Sequence, residues 1–305
     1  MKALLKDGRK IGVLNHPRPT IAHGGHVRLQ VAVAGLCRSD LLVAQGSVES
    51  PSRIVLGHEC SGTILEVGED VLDLRVGQRV TVFPWKGCNF CQACSHGMVP
   101  ACSQAKKLGT QLDGVFAEEV VAEQTMVFPL PEEVSFQIAV LAEPLASARA
   151  VLRSGILPQQ RGCLIEHGFE DELTLRVLRT AGYKIETLAR SSEFADGQFD
   201  FIVESRANQE EAHHLLRLLK PGGQWVTQGH SPPLQLDLRA LVSKEIRIVP
   251  VNYGNFAEAV TGLADPQLEL DSLLGNSYTL EDWPILFAEA EKTGREKLLL
   301  RLQDC

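Results

Sequence analysis

The sequence predicts an α/β protein in two parts. Residues 1–147, rejoined by 276–305, form a β-rich domain, and residues 148–275 form a doubly wound parallel sheet. Three observations carry this. Early in the chain, many short apolar runs are separated by glycines, as in a domain of short strands. From Gly162 onward, strand-like and helix-like runs alternate, as in parallel sheets with crossover helices. At 305 residues the chain also exceeds what a single core comfortably organises.

Taken in order, Val27, Leu29, Val31 and Val33 alternate with Arg28, Gln30, Ala32 and Ala34, the period-two pattern of a half-buried strand. Gly35 to Leu42 follows, with Ser39 as a candidate cap for a short helix. Thr63 to Val67 and Arg79 to Phe83 read as strands, the second after a turn at Gly77; Gly114 to Val121 and Thr125 to Leu130 continue the β-rich part. A helix is expected from Ser135 toward Arg153, interrupted at Pro144. In the second part, strands are expected at Cys163–Glu166, Lys184–Leu188, Phe199–Val203, Gly223–Thr227 and Ile246–Val251. Helices fall at Leu173–Thr180 and Ala212–Leu219. The tail offers a helix over Leu280–Lys292 and a strand over Leu298–Leu302.

Four of the eight cysteines stand at Cys88, Cys91, Cys94 and Cys102, spaced C-x2-C-x2-C-x7-C. Two-residue gaps let successive thiolates fold back onto one ion, and a fourth from further along closes a tetrahedral four-thiolate zinc site. Such a site has no open position for substrate, so its role is structural. Disulfides would suit a short secreted chain; this one is long, and its N-terminus shows no signal-peptide pattern. Cys37, Cys60, Cys163 and Cys305 show no pairing pattern, which fits a reducing, cytoplasmic setting. A net charge of −8 and the absence of any basic tract argue against nucleic acid, and no apolar run is long enough to span a bilayer.

Cys37, His58 and Glu143 supply the thiolate, imidazole and carboxylate of a catalytic zinc site, although their wide separation leaves ordinary packing roles open. Together with their neighbours they form recognisable motifs: Gly-Leu-Cys-Arg-Ser-Asp, Gly-His-Glu, the four-cysteine loop and Ala-Glu-Pro-Leu-Ala. In this order the chain resembles the zinc-containing medium-chain dehydrogenase/reductase family, in particular its polyol and threonine dehydrogenase branches. The resemblance implies a GroES-like catalytic domain and a Rossmann domain, with the active site in the cleft between them. It makes Cys37, His58 and Glu143 ligands of a catalytic zinc and Glu59 a supporting or exchanging carboxylate. Ser39 becomes the hydroxyl that accepts the alcohol proton, and Asp40 the group that orients His58. It further implies a small-molecule alcohol, polyol or amino-alcohol as substrate, NAD or NADP as hydride acceptor, and a homodimer paired through Ile246–Val251.

The dinucleotide fingerprint departs from this pattern. G-x-G-x-x-G is replaced by Glu166-His-Gly-Phe-Glu-Asp171, in which only Gly168 survives as a candidate cofactor contact. Glu170, Asp171 and Glu172 place three carboxylates where a pyrophosphate would sit. At the end of the second strand, Arg190 replaces the usual ribose-binding acid; it suits either a 2′-phosphate or solvent. Arg38 matches a pyrophosphate contact of the family, or it could pair with Glu166 or Glu170. Ten residues, Ala189 to Gln198, separate the second and third strands, too few for a further helix and strand, so the Rossmann-like domain is expected to be shortened. A zinc enzyme or zinc-holding protein without nicotinamide is the alternative reading.

Overall fold

The computed structural model describes residues 1–166, 168–188, 195–229, 233–292 and 294–303. In chain order the first elements are β1 (Lys2–Asp7), β2 (Lys10–Asn15), β3 (His26–Gly35), α1 (Arg38–Ala44), β4 (Arg53–Val55), β5 (Glu59–Val67) and β6 (Arg79–Val82). Next come β7 (Trp85–Lys86), α2 (Gln92–Ser95), β8 (Lys106–Lys107), β9 (Glu119–Glu123), β10 (Val127–Pro129), α3 (Phe136–Ala139) and α4 (Ala142–Arg149). The middle of the chain holds β11 (Gly162–Ile165), α5 (Phe169–Thr180), β12 (Ile185–Leu188), β13 (Phe199–Glu204), α6 (Gln209–Leu218) and β14 (Leu219–Thr227). The chain continues with α7 (Leu238–Lys244), β15 (Arg247–Pro250), α8 (Phe256–Gly262), β16 (Leu274–Tyr278), α9 (Trp283–Ala290) and β17 (Lys297–Arg301).

These elements fall into two compact units. One comprises Met1–Glu143, Val260–Asp265 and Leu270–Cys305; the other comprises Pro144–Ala259 and Pro266–Glu269. The first unit is built on a seven-stranded sheet ordered β10-β6-β5-β3-β17-β16, with β9 also paired to β3. Val27, Leu29, Val31 and Val33 of β3 are all buried, and Gln30 between them is exposed. Val27, Leu29 and Val31 face a core shared with Leu56, Ile64, Val80 and Phe116, but the alternation holds only as far as Val31: Ala32 and Ala34, expected on the open face, are buried as well. A three-stranded sheet, β2-β1-β4, and the two-stranded pair β7–β8, which brackets the four-cysteine loop, complete this unit. The tail strand β17 pairs antiparallel with β3, setting Leu299 opposite Gly35.

Three local expectations are corrected. Residues 114–117 do not form regular strand, and β9 begins only at Glu119. Gly114 crosses so close to Gly57 that a Cβ would strike the carbonyl oxygens of Leu56 and Gly57, and Phe116 N–H donates to Leu56 O at 2.9 Å instead of entering a ladder. The helix expected from Ser135 to Arg153 is broken into α3, α4 and a 3-10 turn at Ala150–Arg153. Ser135 does cap α3, accepting from Ile138 N–H at 3.2 Å. Pro144 lies in the first turn of α4, where its missing N–H costs no helical bond, so the interruption falls before it. Ser39 is not the cap of α1. That place is taken by Cys37, and Ser39 lies inside the first turn.

The second unit is a five-stranded parallel sheet ordered β12-β11-β13-β14-β15. Buried Leu164, Phe201, Val203 and Val226 pack with Leu175 and Leu178 of α5; Ile202 and Trp225 pack with Leu215 and Leu216 of α6. Chain order reverses between β11 and β13, so the loops after these two strands flank the switch point of the sheet. Arg190 and Cys305 lie outside the described residues.

Candidate metal centres

Sheet pairing in the first unit assembles the principal site. Because β3 and β5 run antiparallel with Gly35 opposite Glu59, Cys37, two residues beyond β3, meets His58, the residue just before β5. Gly35 is required at that crossing, since a Cβ there would collide with the Glu59 carboxylate. Cys37 Sγ, a ring nitrogen of His58 and a carboxylate oxygen of Glu59 all lie within 4.8 Å of one another. Glu143, from the first turn of α4, brings Oε1 to 3.8 Å from His58 Nε2.

Asp40 organises this cluster. It is buried, its Oδ2 accepts from Cys37 N–H at 3.0 Å, and its Oδ1 lies 2.8 Å from His58 Nδ1. With Nδ1–H donated to Asp40, the lone-pair end of the ring is Nε2, which is buried and has no hydrogen-bond partner. Burial opposes the charge on Asp40, but His58, the Cys37 N–H and Lys107 outweigh it and hold the carboxyl below its usual range. Burial and Lys107 push the imidazole down as well, yet Asp40 and Cys37 prevail and lift it to about 10. The negative field that retains a proton on Nε2 would equally retain a cation in its place.

Glu59 is nearly inaccessible and makes a 2.8 Å ion pair through Oε1 with Lys297 of β17, itself buried. Its other oxygen, Oε2, is buried without a hydrogen-bond partner. Burial pushes this carboxyl above the usual range; Lys297 pulls against it and Glu143 adds to it. Two buried polar atoms without partners, set beside a thiol and a second carboxylate, fit a borderline cation such as zinc, which takes sulfur, nitrogen and oxygen ligands. Ser39 Oγ is 3.4 Å from Cys37 Sγ, and Arg38 is exposed at the start of α1. Lys297 had no signal in the sequence; only the β17–β3 pairing places it beneath Glu59.

The second centre is the four-cysteine loop. The sulfurs of Cys88, Cys91, Cys94 and Cys102 lie within 4.8 Å of one another, with Cys88 and Cys94 at 4.0 Å. Zinc–sulfur bonds of about 2.3 Å in a tetrahedron place sulfurs about 3.8 Å apart, so the set fits one ion and is too open for a disulfide. Cys91 caps the single turn of α2, and Asn89 and Gly97 take positive φ to reverse the chain around the sulfurs. Backbone N–H groups of Phe90 and Cys91 hold the Cys88 thiol down to about 6, while desolvation and the neighbouring sulfurs lift Cys94 to about 11, so the negative charge of the cluster favours Cys88. By contrast, Cys60 is buried and pushed up to about 12, which leaves it a packing residue.

In the second unit, the turn from β11 into α5 does not fit a pyrophosphate. Gly168 stands at the helix cap, but Glu170, Asp171 and Glu172 open the helix, with Asp171 buried. Glu170 pairs with Arg206 from the loop after β13, and Glu166 N–H donates to Leu188 O at 3.0 Å. The structure thus has an acidic turn where an anion would need free N–H groups.

Residues 23–132 match the alcohol dehydrogenase GroES-like domain. Across 98% of the chain and 99% of the relative, the sequence is 29% identical to a sorbitol dehydrogenase of Halalkalibacterium halodurans. It is 26% identical to an L-threonine 3-dehydrogenase of Streptomyces avermitilis, again over 98% and 99% of the two chains. The fold superposes on a zinc-binding dehydrogenase of Sinorhizobium meliloti solved with NADP, with a TM-score of 0.88 at 24% identity over 98% of each chain. The chain thus carries the alcohol dehydrogenase GroES-like domain and is similar, over nearly its whole length, to sorbitol and L-threonine dehydrogenases.

Proposed function

We propose that this protein is a zinc-dependent oxidoreductase that takes an alcohol, polyol or amino-alcohol to its carbonyl, with NAD(P) as the hydride acceptor. In this reading residues 1–147 and 276–305 are the catalytic domain and 148–275 a shortened cofactor domain. The observation that carries it is the cluster of half-buried Cys37 with buried His58 and Glu59, with Glu143 beside it and His58 Nε2 left without a hydrogen-bond partner. The names of the relatives, a sorbitol and a threonine dehydrogenase, support a substrate bearing a secondary hydroxyl.

Bound zinc supplies Lewis acidity that lowers the pKa of a hydroxyl ligated to it. Cys37 and His58 hold the ion, with Glu59 or Glu143 as the third ligand. Asp40 fixes the His58 ring so that Nε2 is presented. Ser39, beside Cys37, relays the alcohol proton, taking it on its oxygen as its own hydroxyl proton passes on to solvent. Lys297 keeps the Glu59 charge compensated while it is buried.

A second reading, a zinc enzyme of lyase or hydratase type or a zinc-holding protein without nicotinamide, is favoured by the acidic β11–α5 turn. Metal analysis and product analysis decide. Two zinc equivalents per chain are expected, with carbonyl formed from a panel of sugar alcohols and threonine when NAD or NADP is supplied at millimolar concentration or above. One equivalent or less, in protein purified without chelator, would remove the catalytic site from the proposal.

A further inference from the structure

The loops at the switch point of the second unit make contacts that bear directly on its cofactor. In an open parallel sheet, a dinucleotide lies where chain order reverses, with its pyrophosphate on the free N–H groups of a helix N-terminus. Here that place lies between the β11–α5 turn and the β13–α6 loop. From the first, Glu170 reaches across; from the second, Arg206 meets it in an ion pair, with the two side chains 25% and 16% exposed. The β13–α6 loop is itself pinned. Buried Glu204 accepts from Ala207 N–H at 2.7 Å and from Trp225 Nε1 at 3.0 Å. The start of α6 is also satisfied internally: Asn208 Oδ1 accepts from Glu211 N–H at 3.0 Å, and the Glu211 carboxylate accepts from Asn208 N–H at 2.8 Å. Both helices that face the switch point therefore begin with carboxylates: Glu170, Asp171 and Glu172 in α5, Glu210 and Glu211 in α6.

We infer that this chain does not seat a nicotinamide dinucleotide by its pyrophosphate at the switch point, because Glu170 and Arg206 close that point on each other. The inference rests on reading the second unit as the cofactor domain. A pyrophosphate entering there would bring two negative charges to a helix start already holding three carboxylates, and would have to displace Glu170 from Arg206. The guanidinium that could have gripped a phosphate is already neutralised. The missing segment between β12 and β13 compounds this, since only ten residues remain where the adenosine side of the sheet would be completed.

The test is calorimetric titration of NADH and of NADPH into the zinc-loaded full chain, the parent compared with Glu170→Gln, Glu166→Gly/Glu170→Gln and Arg206→Ala. The parent is expected to bind with a Kd of about 1 mM or weaker. Glu170→Gln keeps the shape, removes a charge and frees Arg206; it should tighten binding about tenfold. Adding Glu166→Gly should tighten it further, and Arg206→Ala should leave the weak parental binding unchanged. A parental Kd of about 10 μM or tighter for either cofactor, abolished by Arg206→Ala, would overturn the inference by showing that Arg206 already serves the phosphate. Tight binding indifferent to every variant, or weak binding that none improves, would overturn it too. Tight parental binding leaves the proposed oxidoreductase standing. A zinc-loaded variant that gains NADH binding yet oxidises no alcohol would instead sink that function and spare the inference.

Discussion

Asp40 serves two neighbours with one carboxylate, taking the Cys37 N–H at 3.0 Å and the His58 ring at 2.8 Å. Asp40→Asn keeps its size but removes the charge and offers an amide where an acceptor is needed. Zinc at the Cys37–His58 centre should weaken by about 10- to 100-fold in chelator competition, with the four-cysteine zinc retained. Equal loss at both centres would show a general folding defect. Lys297 and Glu59 permit a second test. Removing the cation alone, as in Lys297→Met, strands a buried carboxylate and should cost about 3 kcal/mol in urea unfolding. The double variant with Glu59→Gln should recover much of that; a single variant as stable as the parent would deny the pair this role. The two residues differed in how far the sequence revealed them. Cys37, His58, Glu59 and Asp40 stand within short motifs, whereas Lys297 occurs in an ordinary Glu-Lys-Leu run and acquires meaning only from strand pairing 238 positions away.

At the scale of elements, the strands were legible where burial is one-sided, as in the first half of β3, where Val27 and Leu29 are buried and Gln30 is exposed; its second half, with Ala32 and Ala34 buried too, shows no open face. They were least legible where two backbones cross at contact distance, as at Gly57 and Gly114, because close approach follows from tertiary pairing and leaves no periodicity. Helix α7 escaped notice for a related reason. Its buried face is slight, and none of its residues is fully enclosed. The four-cysteine loop is the opposite case, legible by spacing alone and poor in core. Phe90 and Met98 within it are 79% and 50% exposed, so the metal supplies the cohesion that packing does not. Cys91→Ser should therefore release zinc and expose residues 88–102 to protease, while Cys37→Ser should leave that loop protected. Within the parallel sheet, Asp200 ties β13 to its neighbours, accepting from Arg161 N–H at 2.8 Å and Lys220 Nζ at 2.9 Å. Burial resists its charge, but Lys220 and the Arg161 N–H overcome this and hold its carboxyl below the usual range. A depressed carboxyl contributes stability above its unfolded pKa and loses it as pH falls through the folded value. Asp200→Ala should thus cost about 1 kcal/mol at pH 7, reduced by its partial exposure, and nothing once both forms are protonated in acid. A cost that persists unchanged below about pH 2 would assign the effect to packing.

For the molecule as a whole, the open edge of the parallel sheet raises the question of what covers it. β15 ends the strand order, paired to β14 on one side and to no strand among the described residues on the other. Ile248 on this strand is 36% exposed, and just before it Leu238 and Val242 of α7 are 71% and 76% exposed. Leu238 and Val242 are one helical turn apart and so share a face. An unpaired edge next to exposed apolar side chains invites pairing, and a second copy meeting it antiparallel about a two-fold axis would satisfy the N–H and C=O groups of both edges at once. A homodimer through β15 is therefore expected, with α7 of each copy contributing Leu238 and Val242. Arg247 and Pro250 at the two ends of the strand limit how far such pairing could extend. Sedimentation equilibrium should give a dimer at micromolar concentration. Val242→Glu with Ile248→Lys should convert it to monomer without altering far-UV circular dichroism or zinc content, since both residues are exposed within the chain. A parent that sediments as a monomer would end the proposal, and a double variant that remains dimeric would move the interface away from this edge.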